Sequence, residues 1–310
     1  MTTPDKTATA NSRAAVTPDA LVASEHAKPA PGTGTPAVGA PVTHPPIVSF
    51  TGVSKTYDNG FTAIKDVTFC INDTPDSMEI VTILGPSGSG KSTILRLIAG
   101  LTPQFPATAG EVLVLGKPVE GPGPDRGMVF QDYTSFDNRT VLDNVAFGLE
   151  CAGVGANERH ERAREWIGKV GLNVDTDALK YPHQLSGGMR QRVAIARTLI
   201  LHPRIVLMDE PFGALDPRTR LHMQDLLMAL AKETQATVFF VTHSVEEAVY
   251  LGDRTLIIST APGTVLKDIL SPRPDFNARD MQRRPEFMEV VFGIRDIMEG
   301  LESSKRGGDD

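Results

Sequence analysis

The feature that most constrains how this chain can fold is the segment GPSGSGKS at residues 85–92, which fits the pattern GxxxxGK[ST]. The apolar run EIVTIL precedes it and a helix-forming run, residues 91–99, follows it, as the pattern requires of a loop between a strand and a helix. In such a loop glycines let consecutive backbone amides point at phosphate oxygens, and the following helix contributes the positive end of its dipole. The segment therefore predicts a phosphate-binding loop on an α/β scaffold.

The side chains of this loop indicate a nucleotide rather than free phosphate. The Lys91 ammonium would meet the β- and γ-phosphates, and the Ser92 hydroxyl would offer an oxygen to Mg²⁺. A glycine-rich surface turn is the alternative interpretation, and the flanking strand and helix argue against it. The predicted nucleotide-binding residues of the loop are Gly85, Pro86, Ser87, Gly88, Ser89, Gly90, Lys91, Ser92 and Thr93.

A pair of carboxylates, Asp209 and Glu210, follows a second apolar run at residues 205–208. Ligands of open α/β sheets bind at the carboxyl ends of the strands, so these side chains are predicted at the nucleotide site. Asp209 would hold Mg²⁺, and Glu210 would act as the general base that polarises a water for attack on the γ-phosphate. By itself such a pair could equally be the solvated start of a loop, and the phosphate loop decides for the functional interpretation.

Alternating strands and helices define the predicted architecture. Strands that alternate with helices imply parallel pairing through crossover connections, which is an α/β fold. The ranges predicted as strands are 47–57, 63–71, 79–85, 127–130, 205–209, 237–242 and 254–259. The ranges predicted as helices are 91–99, 141–149, 158–170, 189–200 and 285–300, and further helices are predicted between the last three strands.

Composition divides the 310 residues into three parts. Residues 1–46 are dominated by small residues and proline, and too few large apolar side chains are present to offset chain entropy, so a disordered tail is predicted. Residues 47–270 form the predicted globular domain. The remaining residues, 271–310, are too few for an independent regulatory domain and are predicted as a short helical extension.

Charge and hydropathy exclude several classes of protein. The formal net charge of −7 argues against a nucleic-acid partner bound through phosphate neutralisation. No run of about 18 apolar residues exists, so the chain is not expected to span a membrane alone. The two cysteines are too few for a disulfide framework, and no signal-peptide pattern opens the sequence, which together favour the cytoplasm.

A third motif, LSGGMRQR at residues 185–192, resembles the signature motif of the ATP-binding cassette (ABC) ATPases. With the phosphate loop and the carboxylate pair it stands in the order of that family, and the resemblance covers nearly all of residues 47–270. It implies a P-loop NTPase ABC cassette with a RecA-like parallel-sheet core, an antiparallel β subdomain and an α-helical signature subdomain at about 132–190.

The resemblance assigns further residues. Tyr57 matches the aromatic position that stacks on adenine, although a half-exposed strand tyrosine is its alternative interpretation. Gln131 matches the glutamine that reaches Mg²⁺ and the attacking water, so the implied Mg²⁺ ligands are Ser92, Asp209 and Gln131. Asp216 matches the D-loop aspartate, and its local pattern is also that of a helix N-cap before proline. His243 matches the switch histidine that contacts the γ-phosphate, which makes the implied catalytic residues Glu210, His243 and Gln131.

The signature motif is expected to act on a second subunit. Ser186 is a favourable N-cap before glycines with bare amides, which predicts a second anion site at a helix start. In the family two cassettes close head to tail, so each ATP lies between one subunit's phosphate loop and the other's signature helix. The implied signature residues are Leu185, Ser186, Gly187, Gly188 and Met189.

Two segments depart from the family pattern. Ser244 replaces the aspartate that commonly follows the switch histidine, and with Glu247 it is expected to preserve a capping box and therefore activity. Residues 132–140 lie in the region that receives a membrane subunit's coupling helix. In that segment Asp137, Asn138 and Arg139 suggest a partner or substrate different from those usual in the family.

The segments 208–220, 241–254 and 257–263 resemble the importer ATPases for nitrate, sulfonates and taurine. That branch implies ATP and Mg²⁺ as cofactors and a homodimer docked on two integral-membrane permease subunits, with an external solute-binding protein. It also implies a place at the cytoplasmic face of the cell membrane and a small oxyanion as transported solute. An importer of another small nitrogen or sulfur compound remains an alternative.

A soluble ABC ATPase of the chromosome or DNA-repair type is the alternative from another class. Such proteins insert long coiled coils or zinc modules between phosphate loop and signature, whereas only 95 positions separate Lys91 from Ser186 here. The spacing and the acidic balance therefore favour the transport ATPase.

Overall fold

The computed structural model describes residues 45–73, 78–132, 134–271 and 276–306. Residues 1–44 of the predicted tail lie outside the described residues. In chain order the described elements are β1 (Val48–Thr56), β2 (Thr62–Ile71), β3 (Glu79–Leu84), α1 (Lys91–Ala99), β4 (Ala109–Val114), β5 (Lys117–Pro118), β6 (Arg126–Val129), α2 (Val141–Cys151), α3 (Ala156–Lys169), α4 (Val174–Asp177), α5 (Gly187–Leu199), β7 (Ile205–Asp209), α6 (Pro217–Thr234), β8 (Thr237–Thr242), α7 (Val245–Leu251), β9 (Arg254–Ile258), β10 (Val265–Leu270), α8 (Ala278–Met281) and α9 (Pro285–Arg306).

A six-stranded sheet in the order β10-β9-β3-β8-β7-β6 forms the centre of the fold. Neighbouring strands run parallel except for β10, which pairs antiparallel with β9 at one edge. The expected parallel pairing is therefore confirmed. Leu84 of β3 is in register with Thr242 of β8, and Asp209 of β7 is in register with Val241. The segments that follow these three strands consequently start at the same edge of the sheet.

The central strands are buried on both faces, which explains their continuous apolar runs. In β8, Val238 and Phe240 belong to one hydrophobic cluster, while Phe239 and Val241 belong to another. The first cluster joins the sheet to helices α2, α3, α5, α6, α7 and α9. The second joins it to α1 and to the smaller sheet. The fold thus consists of helices on one side of the central sheet and a helix with a second sheet on the other.

The smaller sheet has the order β2-β1-β4-β5 and is antiparallel. The sequence predicted β1 and β2 but not β4 and β5, because only Val114 of β4 is buried and the pattern lacks alternation. Gly110 has a φ of 78° at the point where β4 meets β1. A Cβ at this position would collide with the backbone of Gly52, so the close approach of these strands requires glycine.

The helices match their predicted faces closely. Thr140 caps α2, and its hydroxyl accepts a hydrogen bond from the Asp143 amide at 3.2 Å. The predicted apolar stripe of α3 is buried, with Trp166 only 2% exposed. Helix α5 starts at Gly187, two residues before the predicted start, because the Ser186 cap already ends the preceding loop.

The C-terminal helix α9 continues to Arg306, beyond the predicted end at residue 300. Phe287, Val291 and Ile294 are buried in the cluster that contains α6 and α7, so this helix packs on the domain. None of the helices in the described ranges combines the length and apolar character needed to cross a membrane.

Candidate nucleotide-binding and catalytic site

Four parallel strands bring the predicted site residues to one edge of the central sheet. The phosphate loop follows β3, Gln131 follows β6, the carboxylate pair ends β7, and His243 follows β8. Because carboxyl ends of parallel strands meet at the same edge, residues far apart in sequence become neighbours there.

The phosphate loop has a backbone shape that only glycine permits. Gly88 and Gly90 adopt φ values of 76° and 88°, in the left-handed region. A Cβ on Gly90 would lie 2.8 Å from the carbonyl oxygen of Ala63, and one on Gly85 would lie 2.7 Å from that of Ile258. These glycines therefore let the loop curl tightly against the neighbouring β2 and β9.

Lys91 is buried inside this curl and only 4% exposed. Its ammonium donates hydrogen bonds to the carbonyl oxygens of Gly85 at 2.9 Å and Pro86 at 2.8 Å. Burial lowers the pKa of Lys91, while the charges of Glu210 and Asp209 oppose that shift. In the described part of the chain the direct hydrogen-bond partners of this buried ammonium are carbonyl oxygens, so it is suited to an anionic group such as a phosphate.

Ser89 was predicted only as a member of the loop, and the structure gives it a particular character. The residue is fully buried, and its hydroxyl has no hydrogen-bond partner within the described part of the chain. An unsatisfied buried polar group costs about 1–3 kcal/mol. The loop therefore fits a ligand rich in hydrogen-bonding oxygens.

Ser92 and Asp209 form the centre of the predicted metal site. The Ser92 hydroxyl donates to Asp209 Oδ1 at 2.7 Å, although 117 positions separate the two residues. Mg²⁺ usually binds through one or two carboxylates together with substrate phosphates, so this pair of oxygens fits it. Gln131 is exposed in a turn beyond β6, and no hydrogen bond in the described ranges joins it to this pair.

Asp209 is a buried carboxylate, only 3% exposed. Burial raises its pKa, and the hydrogen bond from Ser92 and the charge of Arg96 counteract part of that rise. The Arg96 guanidinium lies 3.7 Å from Asp209 Oδ2. We did not predict Arg96 from the sequence, although it stands one helical turn after Ser92 on α1, a spacing that places both on one face.

Glu210 and His243 lie side by side, as the prediction requires of a base and its switch histidine. His243 Nδ1 is 3.4 Å from Glu210 Oε2. Glu210 has a φ of 45°, which is uncommon for a residue with a side chain. Backbone hydrogen bonds of its amide and its carbonyl stabilise this conformation. Its amide donates to the Val241 carbonyl at 3.2 Å, and its carbonyl accepts from the Gly213 amide at 3.2 Å. The strained backbone at Glu210 changes the direction of the chain directly after β7.

Tyr57 contacts the helix that follows the phosphate loop. Its hydroxyl is 3.2 Å from Thr93 Oγ1, and its ring stacks with that of Phe61 at a centroid distance of 6.4 Å. Phe61 is half exposed and was not predicted as a site residue. An aromatic surface therefore stands beside the loop, where a base could stack.

The signature residues form a partly exposed helix start. The Ser186 hydroxyl caps α5 by accepting from the Met189 amide at 3.3 Å, and Leu185 before it is buried. A Cβ on Gly187 would meet nothing within 4 Å, whereas one on Gly188 would lie 3.0 Å from the Thr219 methyl carbon, so the helix start is open at Gly187 and close to α6 at Gly188. Across the described residues no hydrogen bond or ion pair joins the signature to the phosphate loop. Within one chain the two predicted anion sites are therefore unconnected by such contacts.

Asp216 caps α6 as predicted. One carboxylate oxygen accepts from the amides of Arg218 at 3.1 Å and Thr219 at 3.0 Å. Hydrogen bonds from Thr219 lower the pKa of Asp216 and keep it ionised.

The capping box predicted for Ser244 and Glu247 forms only in part. The Ser244 hydroxyl accepts from the Glu247 amide at 3.3 Å, as expected. The Glu247 carboxylate does not return to the Ser244 amide, because the Thr242 hydroxyl stands between them. That hydroxyl accepts from the Ser244 amide at 3.0 Å and donates to Glu247 Oε2 at 2.6 Å.

A groove with a volume of about 790 Å³ lies beside the 132–140 segment. Phe136, Phe147 and Leu201 give it an apolar lining. The buried Asn144 side chain holds one wall, since it accepts from the Phe136 amide at 2.8 Å and donates to the Arg139 carbonyl at 3.1 Å. The Arg139 guanidinium lies 4.9 Å from the ring centroid of Phe147 and pairs with Glu150 at 2.9 Å.

Comparison with known proteins identifies the family. The family model described as ABC transporter matches residues 64–213. The chain is 51% identical over 217 residues to an uncharacterized ABC transporter ATP-binding protein of Methanocaldococcus jannaschii. The matched region covers 69% of this chain and 79% of that protein. This chain belongs to the ABC transporter family. Members of this family couple ATP hydrolysis to transport, and the chain is an ATPase of that kind.

Other ABC proteins extend the comparison. The nitrate import ATP-binding protein NrtD of Synechocystis sp. is 43% identical over 78% of this chain and 90% of its own length. The taurine import ATP-binding protein TauB of Rhizobium johnstonii is 46% identical over 72% of this chain and 85% of its own length. The predicted resemblance to this branch of ABC ATPases is confirmed.

A solved structure supports the fold class. It is the dimeric structure of an ATP-binding cassette in a post-hydrolysis state with ADP and Pi, 34% identical, with a TM-score of 0.62 over 73% of this chain and 99% of that chain. The predicted P-loop NTPase ABC cassette is therefore confirmed.

Proposed function

We propose that this chain is the ATP-hydrolysing subunit of an importer for a small oxyanion, namely an aliphatic sulfonate, taurine or nitrate. The observation that carries the proposal is the convergence of Lys91, Ser92, Asp209, Glu210 and His243 at one sheet edge. The similarity to nitrate and taurine import proteins supports the choice of solute. Import of another small nitrogen or sulfur compound is the second candidate, because cassettes do not contact the transported solute.

We assign residues 47–270 to the cassette and about 132–190 to its helical subdomain, with 1–46 as a tail and 271–310 as an extension. The helices α2, α3 and α4 lie inside the proposed subdomain. The packing of α9 on α6 and α7 supports an extension that is attached to the cassette.

ATP would bind with its phosphates in the loop of residues 85–93 and its base against Tyr57. Mg²⁺ would be held by Ser92, Asp209 and Gln131, and when bound it neutralises charge on the phosphate oxygens. The buried Lys91 ammonium supplies a further positive charge to the β- and γ-phosphates.

Glu210 would accept a proton from the water that attacks the γ-phosphorus. A positioned general base contributes typically about 10²–10⁴-fold to the rate. His243, 3.4 Å from the Glu210 carboxylate, would hold that carboxylate and contact the γ-phosphate. Gln131 would orient the same water from the exposed turn after β6.

Two copies of the chain would enclose two ATP molecules. The open N-terminus of α5, with Ser186, Gly187 and Gly188, would bind the phosphates held by the partner's loop. Asp216 would lie at the same interface. ATP binding would close the dimer and hydrolysis would open it, which is a two-state element that a transporter can use.

The groove beside residues 132–140 would receive the coupling helix of a permease subunit. Its apolar lining and the Arg139–Glu150 pair beside Phe147 suit an amphipathic helix. Two permease subunits and an external solute-binding protein would complete the importer, with this chain at the cytoplasmic face of the membrane.

The transport proposal is tested in the native host with a tagged chain and a deletion strain. We expect the tagged chain to co-purify from detergent with an integral-membrane permease. We also expect the deletion strain to lose uptake of labelled taurine, alkanesulfonate or nitrate. Complementation with the parent should restore uptake, whereas the Glu210→Gln variant should not. Normal uptake of all three solutes would reject the proposed substrate class, and a soluble complex with nucleic acid or ribosomes would reject the transport function.

A further inference from the structure

We propose that Glu247 is a positioning residue for ATP hydrolysis. Its carboxylate fixes the segment that carries His243 and, through Arg220, the loop that connects Glu210 to Asp216. This inference rests on the proposed roles of Glu210 and His243. Among the described residues no hydrogen bond or ion pair joins Glu247 or Arg220 to the side chains of Glu210 or His243, so both would act through the residues that they hold.

The first half of the arrangement concerns the switch histidine. Glu247 Oε2 accepts a 2.6 Å hydrogen bond from the Thr242 hydroxyl, and that hydroxyl accepts from the Ser244 amide at 3.0 Å. The Glu247 amide in turn donates to the Ser244 hydroxyl at 3.3 Å. The residues on both sides of His243 are therefore tied to one glutamate, while the His243 side chain itself is 61% exposed.

The second half concerns the loop after the catalytic glutamate. The Arg220 guanidinium donates through Nη2 to the carbonyl oxygens of Leu215 at 3.1 Å and Gly213 at 3.5 Å. Its Nε lies 3.8 Å from Glu247 Oε1. Since the Gly213 amide donates to the Glu210 carbonyl, Arg220 holds the loop that begins at Glu210.

Burial restricts the hydrogen-bonding arrangements that the Glu247 carboxylate can adopt. Glu247 is 6% exposed and Gln224, which donates to Glu247 Oε1 at 3.2 Å, is 2% exposed. A buried carboxylate needs its counter-charge and its hydrogen bonds, because removal of one partner leaves an uncompensated charge or an unsatisfied donor. The Glu247 carboxylate therefore has one favourable arrangement, in which the Thr242 hydroxyl and the Gln224 amide donate to it and the Arg220 guanidinium lies 3.8 Å away.

The consequence for catalysis is geometric. Glu210 and His243 come from different strands, and no covalent feature fixes their 3.4 Å separation. Misplacement of a catalytic group by about 1 Å can lower the rate about 10²-fold. A single buried carboxylate connected to both segments would keep the Glu210 carboxylate and the His243 ring at a fixed separation.

The test compares Glu247→Gln, Arg220→Gln and the double variant with the parent. The matched control is Glu286→Gln, the same chemical change at an exposed position on α9. We expect Glu247→Gln to lower kcat for ATP hydrolysis about 10–100-fold with KM for ATP changed less than about twofold. The double variant removes the buried Glu247 charge together with its half-buried counter-charge Arg220, so it should regain thermal stability without regaining kcat.

A second readout does not depend on turnover. In protein with ¹⁵N-labelled histidine, without nucleotide and at one fixed pH, the His243 ring signals are assigned by their loss in His243→Gln. We expect them to shift in Glu247→Gln and Arg220→Gln and to stay in place in Glu286→Gln. A purely structural role would lower stability and leave these signals where they are.

The outcomes separate this inference from the proposed function. Unshifted His243 signals, or a kcat in Glu247→Gln within twofold of an active parent, would overturn the positioning role. If the parent itself hydrolyses no ATP, the proposed function fails, while the His243 signals still decide whether Glu247 holds the switch segment.

Discussion

The Asp209 carboxylate is buried, which makes its ionisation unfavourable in the folded state. Its pKa is raised mainly by burial, so the folded state binds a proton more tightly than the unfolded chain. A group of this kind contributes stability below its unfolded pKa, and that contribution is lost as the pH rises through the folded pKa. Above its folded pKa the ionised Asp209 therefore lowers the free energy of unfolding.

Replacement of this carboxylate by an amide should consequently stabilise the nucleotide-free protein. Asn at position 209 keeps an oxygen acceptor for Ser92 and cannot ionise. We expect Asp209→Asn to raise the free energy of unfolding at pH 7 by about 0.5–2 kcal/mol, measured by urea denaturation, and to abolish Mg²⁺-dependent ATP hydrolysis.

The pH dependence of this effect identifies its cause. The gain should shrink as the pH approaches 3.8, the ordinary value for aspartate, because the parent carboxylate then becomes neutral too. The exposed Asp296→Asn on α9 should show no gain at either pH. A variant at position 209 that is less stable than the parent at pH 7 would contradict the burial argument.

At the level of single residues, the sequence predicted which side chains have the chemistry for nucleotide binding, but it did not predict every contact that positions them. Lys91, Ser92 and Asp209 were predicted from local motifs, and the structure brings them together. Arg220 was not predicted, and Glu247 was predicted only as the capping-box partner of Ser244, because the contact between them spans 27 positions and two helices. No local pattern encodes such a pair, whereas each phosphate-loop residue stands within a single turn and helix.

At the scale of elements, the N-terminus of α5 combines a structural cap with a proposed binding site. The Ser186 hydroxyl satisfies the Met189 amide, so Ser186→Ala should cost about 1 kcal/mol of stability and Ser186→Gly only a few tenths. Both variants lack the hydroxyl, and we expect both to reduce the ATP-dependent dimer to the same extent. Thermal unfolding and gel filtration measure the two effects.

A cap elsewhere supplies the control for this helix. Thr140 caps α2 through the Asp143 amide in the same way. Thr140→Ala should therefore lower stability by a similar amount and leave the ATP-dependent dimer intact. If dimer formation follows stability in all three variants, Ser186 is only a cap.

The strands that were not predicted share one property, which is that most of their residues are partly or fully exposed. The strands β7 and β8 are buried at every position and were predicted from their apolar runs. In β10 only Ile269 is buried, and in β4 only Val114, so neither strand shows a clear apolar period. Such partly exposed strands are formed by hydrogen bonds to their neighbours, which depend on the tertiary fold.

At the scale of the whole molecule, the site at the sheet edge and the signature are separate parts of one chain. Glu210→Gln keeps the shape of the side chain but removes the proton acceptor. It also removes one negative charge beside the expected γ-phosphate. We therefore expect the variant to bind ATP, to lose turnover, and to accumulate as a dimer with ATP and Mg²⁺ in analytical ultracentrifugation, while the parent returns to monomer as ATP is consumed.

The double variant Glu210→Gln with Ser186→Gly shows whether that dimer has the proposed geometry. If the signature helix of one copy binds the phosphates held by the other, loss of the Ser186 hydroxyl should weaken the trapped dimer although turnover is already absent. The cap at α5 is little affected by glycine, so a change in dimerisation would report the contact between copies and not helix stability. A trapped dimer of undiminished affinity would mean that the two copies meet through another face, and equal hydrolysis rates in Glu210→Gln and the parent would remove Glu210 from the catalytic role.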